Sequence, residues 1–344
     1  MKAVVKTKRG ISHVRLLNVE KPKPALDEVL VEVKAAGICG TDIHIYHDRA
    51  FYRPPVTLGH EYSGIITAKG RAVKDFKIGE RVTSPATIPC GECPLCQTGS
   101  PNRCIGKQRR ILGALKADGA FAKYMKVPAR ILHRIPDGLP FEEAAVAEPV
   151  ACAVHAVAER TGINIGDTVL ILGPGPMGLL ALQVAKAEGA SQVMITGVGS
   201  DEGRLKIAKS LGADLTLNAE EENLFRAAMD LTDGIGVDVV IEASGAPVAQ
   251  KQALELVRRR GRVGIIGLSG RPVELELDKV VEGELDVAGS WGTVWTSWRK
   301  ALILMAEGKV KTKPLITQRL PIEEWRTGFK LMEEKEALKV LLKP

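Results

Sequence analysis

The chain has 344 residues, 45% hydrophobic and 26% charged, which is enough for about two domains with real cores. This composition excludes a disordered, fibrous or small disulfide-rich protein, and no uninterrupted apolar run is long enough to span a membrane. A net charge of +7 is mild for this length and aromatics are only 4%, so the concentrated basic and aromatic surface of a nucleic-acid binder is absent too.

The N-terminal MKAVVKTKRG lacks the apolar stretch and small-residue cleavage site of a signal peptide, so a cytoplasmic location is expected. Up to about residue 150 the chain reads as short strands between irregular loops. Strands are predicted at 3–5, 29–38, 64–70, 80–84 and 121–129, from β-branched alternation punctuated by proline and glycine. Within this region lies CGECPLCQTGSPNRC, which places Cys90, Cys93, Cys96 and Cys104 at C-x2-C-x2-C-x7-C spacing. Four thiolates in one short lobe can surround a tetrahedral zinc. An iron–sulfur cluster is the competing metal reading, and disulfides fit poorly with a chain showing no export signal.

Beyond 150 the text changes. Apolar strands at 167–173, 192–197, 214–218, 237–244 and 261–268 alternate with helices at 177–190, 202–211, 221–232 and 247–259. Strands apolar throughout, separated by amphipathic helices, predict a parallel sheet covered on both faces. The first strand ends in GPGPMG, matching G-x-G-x-x-G through Gly173, Gly175 and Gly178. The match follows a buried strand and opens a helix, with Pro176 and Met177 at its start, as a Rossmann-type dinucleotide loop requires. A glycine-rich turn with no ligand is the bland alternative. The acid expected at the end of the next strand is missing, since position 197 is glycine. Ser200 and Arg204 suit a phosphate, whereas Asp201 suits a ribose, so the coenzyme is read as NAD or NADP. Helices at 297–307 and 323–334 and a last strand at 339–343 follow. That strand, with no helix after it, suits a return to the first domain.

Cys39, in AAGICGTDIHIY, and His60, in GHEYSG, offer a thiolate and an imidazole. With one carboxylate, from Glu61 or Glu148, they would hold a zinc and keep one position open for catalysis. A buried cysteine and an ordinary histidine are the bland readings.

Taken together, CGTDIH at 39–44, GHEYSGIITAKG at 59–70, the four-cysteine lobe and GPGPMG resemble, in order and spacing, the zinc-containing medium-chain alcohol/polyol dehydrogenases, the group that includes sorbitol (L-iditol) dehydrogenase and L-threonine 3-dehydrogenase. The resemblance spans nearly the whole chain. It implies an α/β fold, a Rossmann-type doubly wound parallel sheet domain plus an irregular, mainly β GroES-like catalytic domain. The expected division is 1–149 for the catalytic domain with its zinc lobe near 88–106, 150–288 for the coenzyme domain, and 289–344 returning to the catalytic domain. Two zinc ions per chain are implied, one structural on the four cysteines and one catalytic on Cys39 and His60 with Glu61 or Glu148.

By the same resemblance Thr41 begins the proton relay from the substrate, His44 continues it, and Cys152 is a small buried residue rather than a ligand. Gly173, Gly175, Pro176, Met177, Gly178, Ser200, Asp201 and Arg204 form the expected coenzyme site. The implied substrate is a polyol, sugar or sugar acid bearing a secondary hydroxyl, with threonine or a phosphorylated polyol as alternatives. Lys107, Arg109 and Arg110 are read as surface solvation rather than a phosphate site. Trp291, Trp295 and Trp298 are read as core or interface rather than a sugar-stacking platform. A homo-oligomer is expected, a tetramer before a dimer, with no nucleic-acid or membrane partner.

Overall fold

Glu28–Gly37 is the longest strand of the chain, and nearly every side chain along it is buried. A strand covered on both faces must be lined on both edges too. Glu61–Lys69, Tyr124–Pro128 and Lys339–Lys343 all pair with it antiparallel. Arg81–Thr83 and His133–Arg134 extend the sheet beyond Glu61–Lys69, and Ile316–Pro321 extends it beyond the terminal strand. The register fixes the site. Gly37 lies opposite Glu61 on one side and Leu341 on the other, and the Ile38 amide donates to the Val340 carbonyl at 2.9 Å. Residues 37–39, 60–61 and 339–341 are thereby brought to one place.

The computed structural model describes residues 1–344, and they fall into two units. One comprises Met1–Glu148, Thr293–Ala306 and Thr312–Pro344; the other comprises Pro149–Gly292 and Glu307–Lys311. The first has a core built from Val31, Tyr62, Ile66, Phe121, Trp325 and Phe329 among others, with Trp325 edge-on to Phe329 at 5.2 Å. The second is a six-stranded parallel sheet in the order Leu215–Asn218, Gln192–Gly197, Thr168–Leu172, Val237–Glu242, Val257–Ile265, Asp286–Gly289. In chain order this is 3-2-1-4-5-6, the doubly wound arrangement whose order reverses beside its first strand. No helix is long and apolar enough to cross a membrane.

One predicted element ends early. The helix expected over 247–259 stops at Leu256, and Val257 begins the strand that runs to Ile265. Neighbouring acids hold the arginine run in extended form. Arg258 reaches Asp238 and Arg262 reaches Asp167, each at 2.7 Å. The short helix Gly40–Tyr46 and the π-helical turn His155–Thr161, which prolongs Ala147–Val154, were not legible as elements.

Of the tryptophans, Trp298 is fully buried on the helix Trp295–Ala306 and donates to Thr293 Oγ1 at 2.9 Å, while Trp291 and Trp295 are exposed. His133 stacks on Trp298 at 4.9 Å with rings nearly parallel, and its buried Nε2 has no hydrogen-bond partner. Burial pushes this imidazole down from 6.5 to about 4. Between those values the unfolded chain holds a proton that the folded chain does not. Stability therefore rises with pH across that window and is lost as pH falls through it, by a total of order 3 kcal/mol. His133→Phe keeps the stack and cannot titrate, so its melting temperature should fall less than the parent's between pH 6.5 and pH 4.

Candidate metal centres and dinucleotide loop

The four-cysteine lobe is a chain of tight turns whose backbone amides face sulfur. The Cys90 amide donates to Cys104 Sγ and the Cys93 amide to Cys90 Sγ, each at 3.3 Å. The sulfurs stand 3.4 Å (Cys93–Cys96), 3.5 Å (Cys90–Cys104) and 3.9 Å (Cys90–Cys96 and Cys93–Cys104) apart. A tetrahedral zinc with sulfur ligands at about 2.3 Å requires sulfurs about 3.8 Å apart. The lobe therefore fits the ion, and none of its cysteines is in a disulfide. Backbone amides draw Cys93 down to about 6, whereas burial and the neighbouring sulfurs push Cys96 up to about 12. Four thiolates this close cannot all ionise without a cation. Gly106 is needed at the edge of the lobe, because a Cβ there would lie 2.5 Å from Cys90 Sγ.

Cys39 caps the helix Gly40–Tyr46, and Asp42 three residues on accepts the Cys39 amide at 2.9 Å. The same fully buried carboxylate accepts the Gly59 amide at 3.2 Å and stands 4.0 Å from His60 Nδ1. One acid thus ties the helix start to the segment carrying His60. Gly59 is required twice over, by its φ of +91° and because a Cβ would strike the Phe121 ring at 2.5 Å.

Ligand atoms of Cys39, His60 and Glu61 all lie within 4.8 Å of one another. Thr41 Oγ1 is 3.7 Å from Cys39 Sγ, and His44, exposed, follows Thr41 by three residues on the same helix. Glu148 is 8% exposed in the first turn of Ala147–Val154. Burial opposes charge on His60, but Cys39, Asp42 and Glu148 outweigh it and hold its pKa well above the ordinary value.

Glu61 is already committed. Both its oxygens accept from Lys339 Nζ at 2.8 Å, and the two side chains are 1% and 4% exposed. Lys339 also donates to the Ile38 carbonyl at 3.3 Å. Burial alone would discharge the ammonium, but Glu61, then Cys39 and Glu148, raise its pKa. Gly37 makes room for the pair, since a Cβ there would lie 2.4 Å from Glu61 Oε2. Sequence reading missed Asp42, Lys339 and Gly37. Asp42 had a signal, an acid three residues after a helix cap.

In the second unit, the strand Thr168–Leu172 runs through Gly173–Gly175 into the helix Pro176–Glu188. Gly173 has φ +105°, and a Cβ on Gly178 would lie 1.9 Å from the Gly173 carbonyl oxygen. Nothing approaches within 4 Å of a Cβ at Gly175, so this face of the loop stays open for a ligand's pyrophosphate beside the helix amides. Met177 is half-buried in the helix's first turn, and Ser200 and Asp201 lie in the short turn Gly199–Asp201, with Arg204 on the next helix.

Residues 25–137 match the alcohol dehydrogenase GroES-like domain, and residues 176–307 match the zinc-binding dehydrogenase family. A sorbitol dehydrogenase of Halalkalibacterium halodurans is 42% identical over 346 aligned positions, covering 100% of this chain and 99% of that protein. The chain belongs to the zinc-containing medium-chain dehydrogenases. A zinc-binding dehydrogenase from Sinorhizobium meliloti 1021, solved with NADP, superposes with a TM-score of 0.91 at 35% identity, covering 100% of this chain and 99% of that one. An alcohol dehydrogenase from E. coli CFT073, solved with NADH, gives 0.90 at 31% identity with coverage of 100% and 99%.

As a member of this family the protein is a zinc-binding oxidoreductase that transfers hydride between NAD(P) and an alcohol or polyol. Zinc content of the loaded protein is expected at two per chain. In this dehydrogenase Cys93→Ser should lower the melting temperature sharply, because a structural zinc contributes folding free energy. A metal-replete Cys93→Ser protein with parental thermal stability would refute the structural role.

Proposed function

We propose that this dehydrogenase oxidises a secondary hydroxyl of a polyol, sugar or sugar acid, with Cys39, His60 and Glu148 as the protein ligands of its catalytic zinc. The observation that carries the ligand set is the Lys339–Glu61 pair. A carboxylate held at both oxygens by a buried ammonium is withdrawn from the metal, leaving Glu148 as the acid beside Cys39 and His60. When bound, zinc supplies Lewis-acid polarisation of the hydroxyl, and the nicotinamide accepts hydride.

The chain's own groups do the rest. Thr41 Oγ1 takes the hydroxyl proton and passes it toward His44, whose exposure opens the route to solvent. Asp42 stands beside His60, and Lys339 holds Glu61 away from the metal. Gly173, Gly175 and Gly178, with Pro176 and Met177, seat the pyrophosphate.

The test is initial-rate screening of polyols, sugar acids, polyol phosphates and threonine with each coenzyme, paired with metal analysis of Glu148→Ala. The highest kcat/KM should fall on a polyol or sugar acid. Glu148→Ala should lose catalytic zinc while the four-cysteine site stays loaded. A best rate on threonine would replace the substrate assignment, and full zinc retention with parental rate would remove Glu148 from the site.

The same reading makes the protein a cytoplasmic homo-oligomer, a tetramer before a dimer. Supporting it, Asp286–Gly289 is an edge strand of the six-stranded sheet and carries an exposed Val287, an edge that assembly would cover. Sedimentation at micromolar concentration should show a multiple of 37.0 kDa, and a lone 37.0 kDa species would reject assembly.

A further inference from the structure

The strand Gln192–Gly197 ends without the acid that, in a doubly wound nucleotide fold, accepts the ribose hydroxyls about 20 residues past the glycine loop. The reason is steric. A Cβ on Gly197 would lie 2.8 Å from Asp201 Cβ, 2.9 Å from Pro174 Cγ and 3.3 Å from Asp201 Oδ2. Asp201 and Pro174 of the glycine loop already fill the volume that a side chain at 197 would enter. We infer that Asp201 stands in for the missing acid and, with Glu220, makes this dehydrogenase prefer NAD to NADP. The inference rests on residues 173–178 being the dinucleotide loop.

The rest of the turn points the same way. A 2′-phosphate needs backbone amides or a cation free to receive it. Here the Val198 amide donates to Asp201 Oδ2 at 3.2 Å, and the Gly199 amide donates to Glu220 Oε2 at 2.8 Å. These two amides of the turn are spent on carboxylates. Arg204, the cation of this turn, has Nη1 3.4 Å from Asp201 Oδ1, so its charge is already shared with the same acid. A phosphate entering here would meet two carboxylates, whereas ribose hydroxyls would meet two acceptors. Glu220 precedes the helix Leu224–Leu231 and comes from the next crossover, which is why spacing from the glycine loop does not reveal it.

The experiment uses zinc-loaded enzyme and measures NADH and NADPH dissociation constants by calorimetry, alongside kcat/KM for both coenzymes on the best substrate. NADH should bind at least about 100-fold more tightly, the scale of an unfavourable like-charge contact. Asp201→Asn retains an acceptor for the Val198 amide but loses the charge, and should shrink that ratio at least about tenfold, chiefly by tightening NADPH. Glu220→Gln should shift the ratio in the same sense by less. Arg204→Gln should not weaken NADPH selectively.

Equal or tighter NADPH binding by the parent would overturn the inference, as would an unchanged ratio in Asp201→Asn or selective loss of NADPH in Arg204→Gln. Should Asp201→Asn fail to fold, Arg204→Gln and the substitution at exposed Glu220, Glu220→Gln, carry the test. Binding of neither dinucleotide would remove the loop reading itself, an outcome distinct from a reversed preference.

Discussion

Thr41→Val is expected to slow hydride transfer by about 10²–10⁴-fold, the usual contribution of a positioned proton acceptor, with both zincs and the coenzyme still bound. Thr41 is the second residue of a helix whose first backbone donor is tied to Asp42, so its side-chain direction is set by the cap rather than by the substrate. Its hydroxyl lies 3.7 Å from Cys39 Sγ, close to the metal's ligands without being one of them. Valine has nearly the same shape, so the helix and the zinc shell should survive while the proton loses its first stop. Single-turnover production of reduced nicotinamide, read together with metal content, separates this from a ligand defect. A parental single-turnover rate on the best substrate would refute the relay. His44→Ala should act on the same limb less severely, because an exposed histidine can be replaced in part by buffer or water. Added imidazole should then restore part of its rate but none of the Thr41→Val rate.

What was readable in the sequence was what the chain writes locally. The four cysteines sit within one turn-rich segment, so their spacing and their geometry are nearly the same information. The glycine loop likewise follows its own strand and precedes its own helix. Cys39 and His60 could be named as donors because thiolate and imidazole are rare and telling residue types. Their meeting, however, depends on antiparallel register, which no local pattern states.

The partner of Glu61 lies 278 residues away, on a strand reading only as KVLLK. An isolated lysine at the edge of an apolar run looks like a solvated strand end. It becomes a buried ammonium because Leu341 pairs with Gly37, which places Lys339 beside Cys39. Gly37 itself reads as the end of a strand, and only the Glu61 carboxylate pressed against it explains the absent side chain. The arginine run at 258–260 misled for the mirror reason. Arginine favours helices, but Arg258 pairs with Asp238 on the neighbouring strand as the run enters the sheet, and propensity yields to tertiary pairing.

That buried pair sets the other large expectation. Lys339→Met should destabilise the protein by about 3–5 kcal/mol, the cost of leaving one member of a buried ion pair without its partner. Glu61 is 1% exposed, and Gly37 closes over its Oε2, so water cannot readily replace the lost ammonium. Lys339→Arg keeps the charge but needs more volume and should fall between the two. The informative variant is the double substitution Lys339→Met with Glu61→Gln, which removes both charges at once. If the penalty is an unpaired carboxylate, the double variant should recover most of the stability lost by the single one, a coupling that a double-mutant cycle measures directly.

The pair also has a catalytic reading, because an unpaired Glu61 would be free to approach the metal beside Cys39 and His60. Lys339→Met should then bind zinc at least as tightly as the parent while turning over more slowly, since the position meant for substrate would have a competing carboxylate. Glu61→Gln added to it should relieve that competition and raise the rate again. Unchanged melting in Lys339→Met would mean the pair contributes nothing to the fold. Recovery of stability without recovery of rate would show that Lys339 holds the sheet together but leaves the metal's open position to other residues.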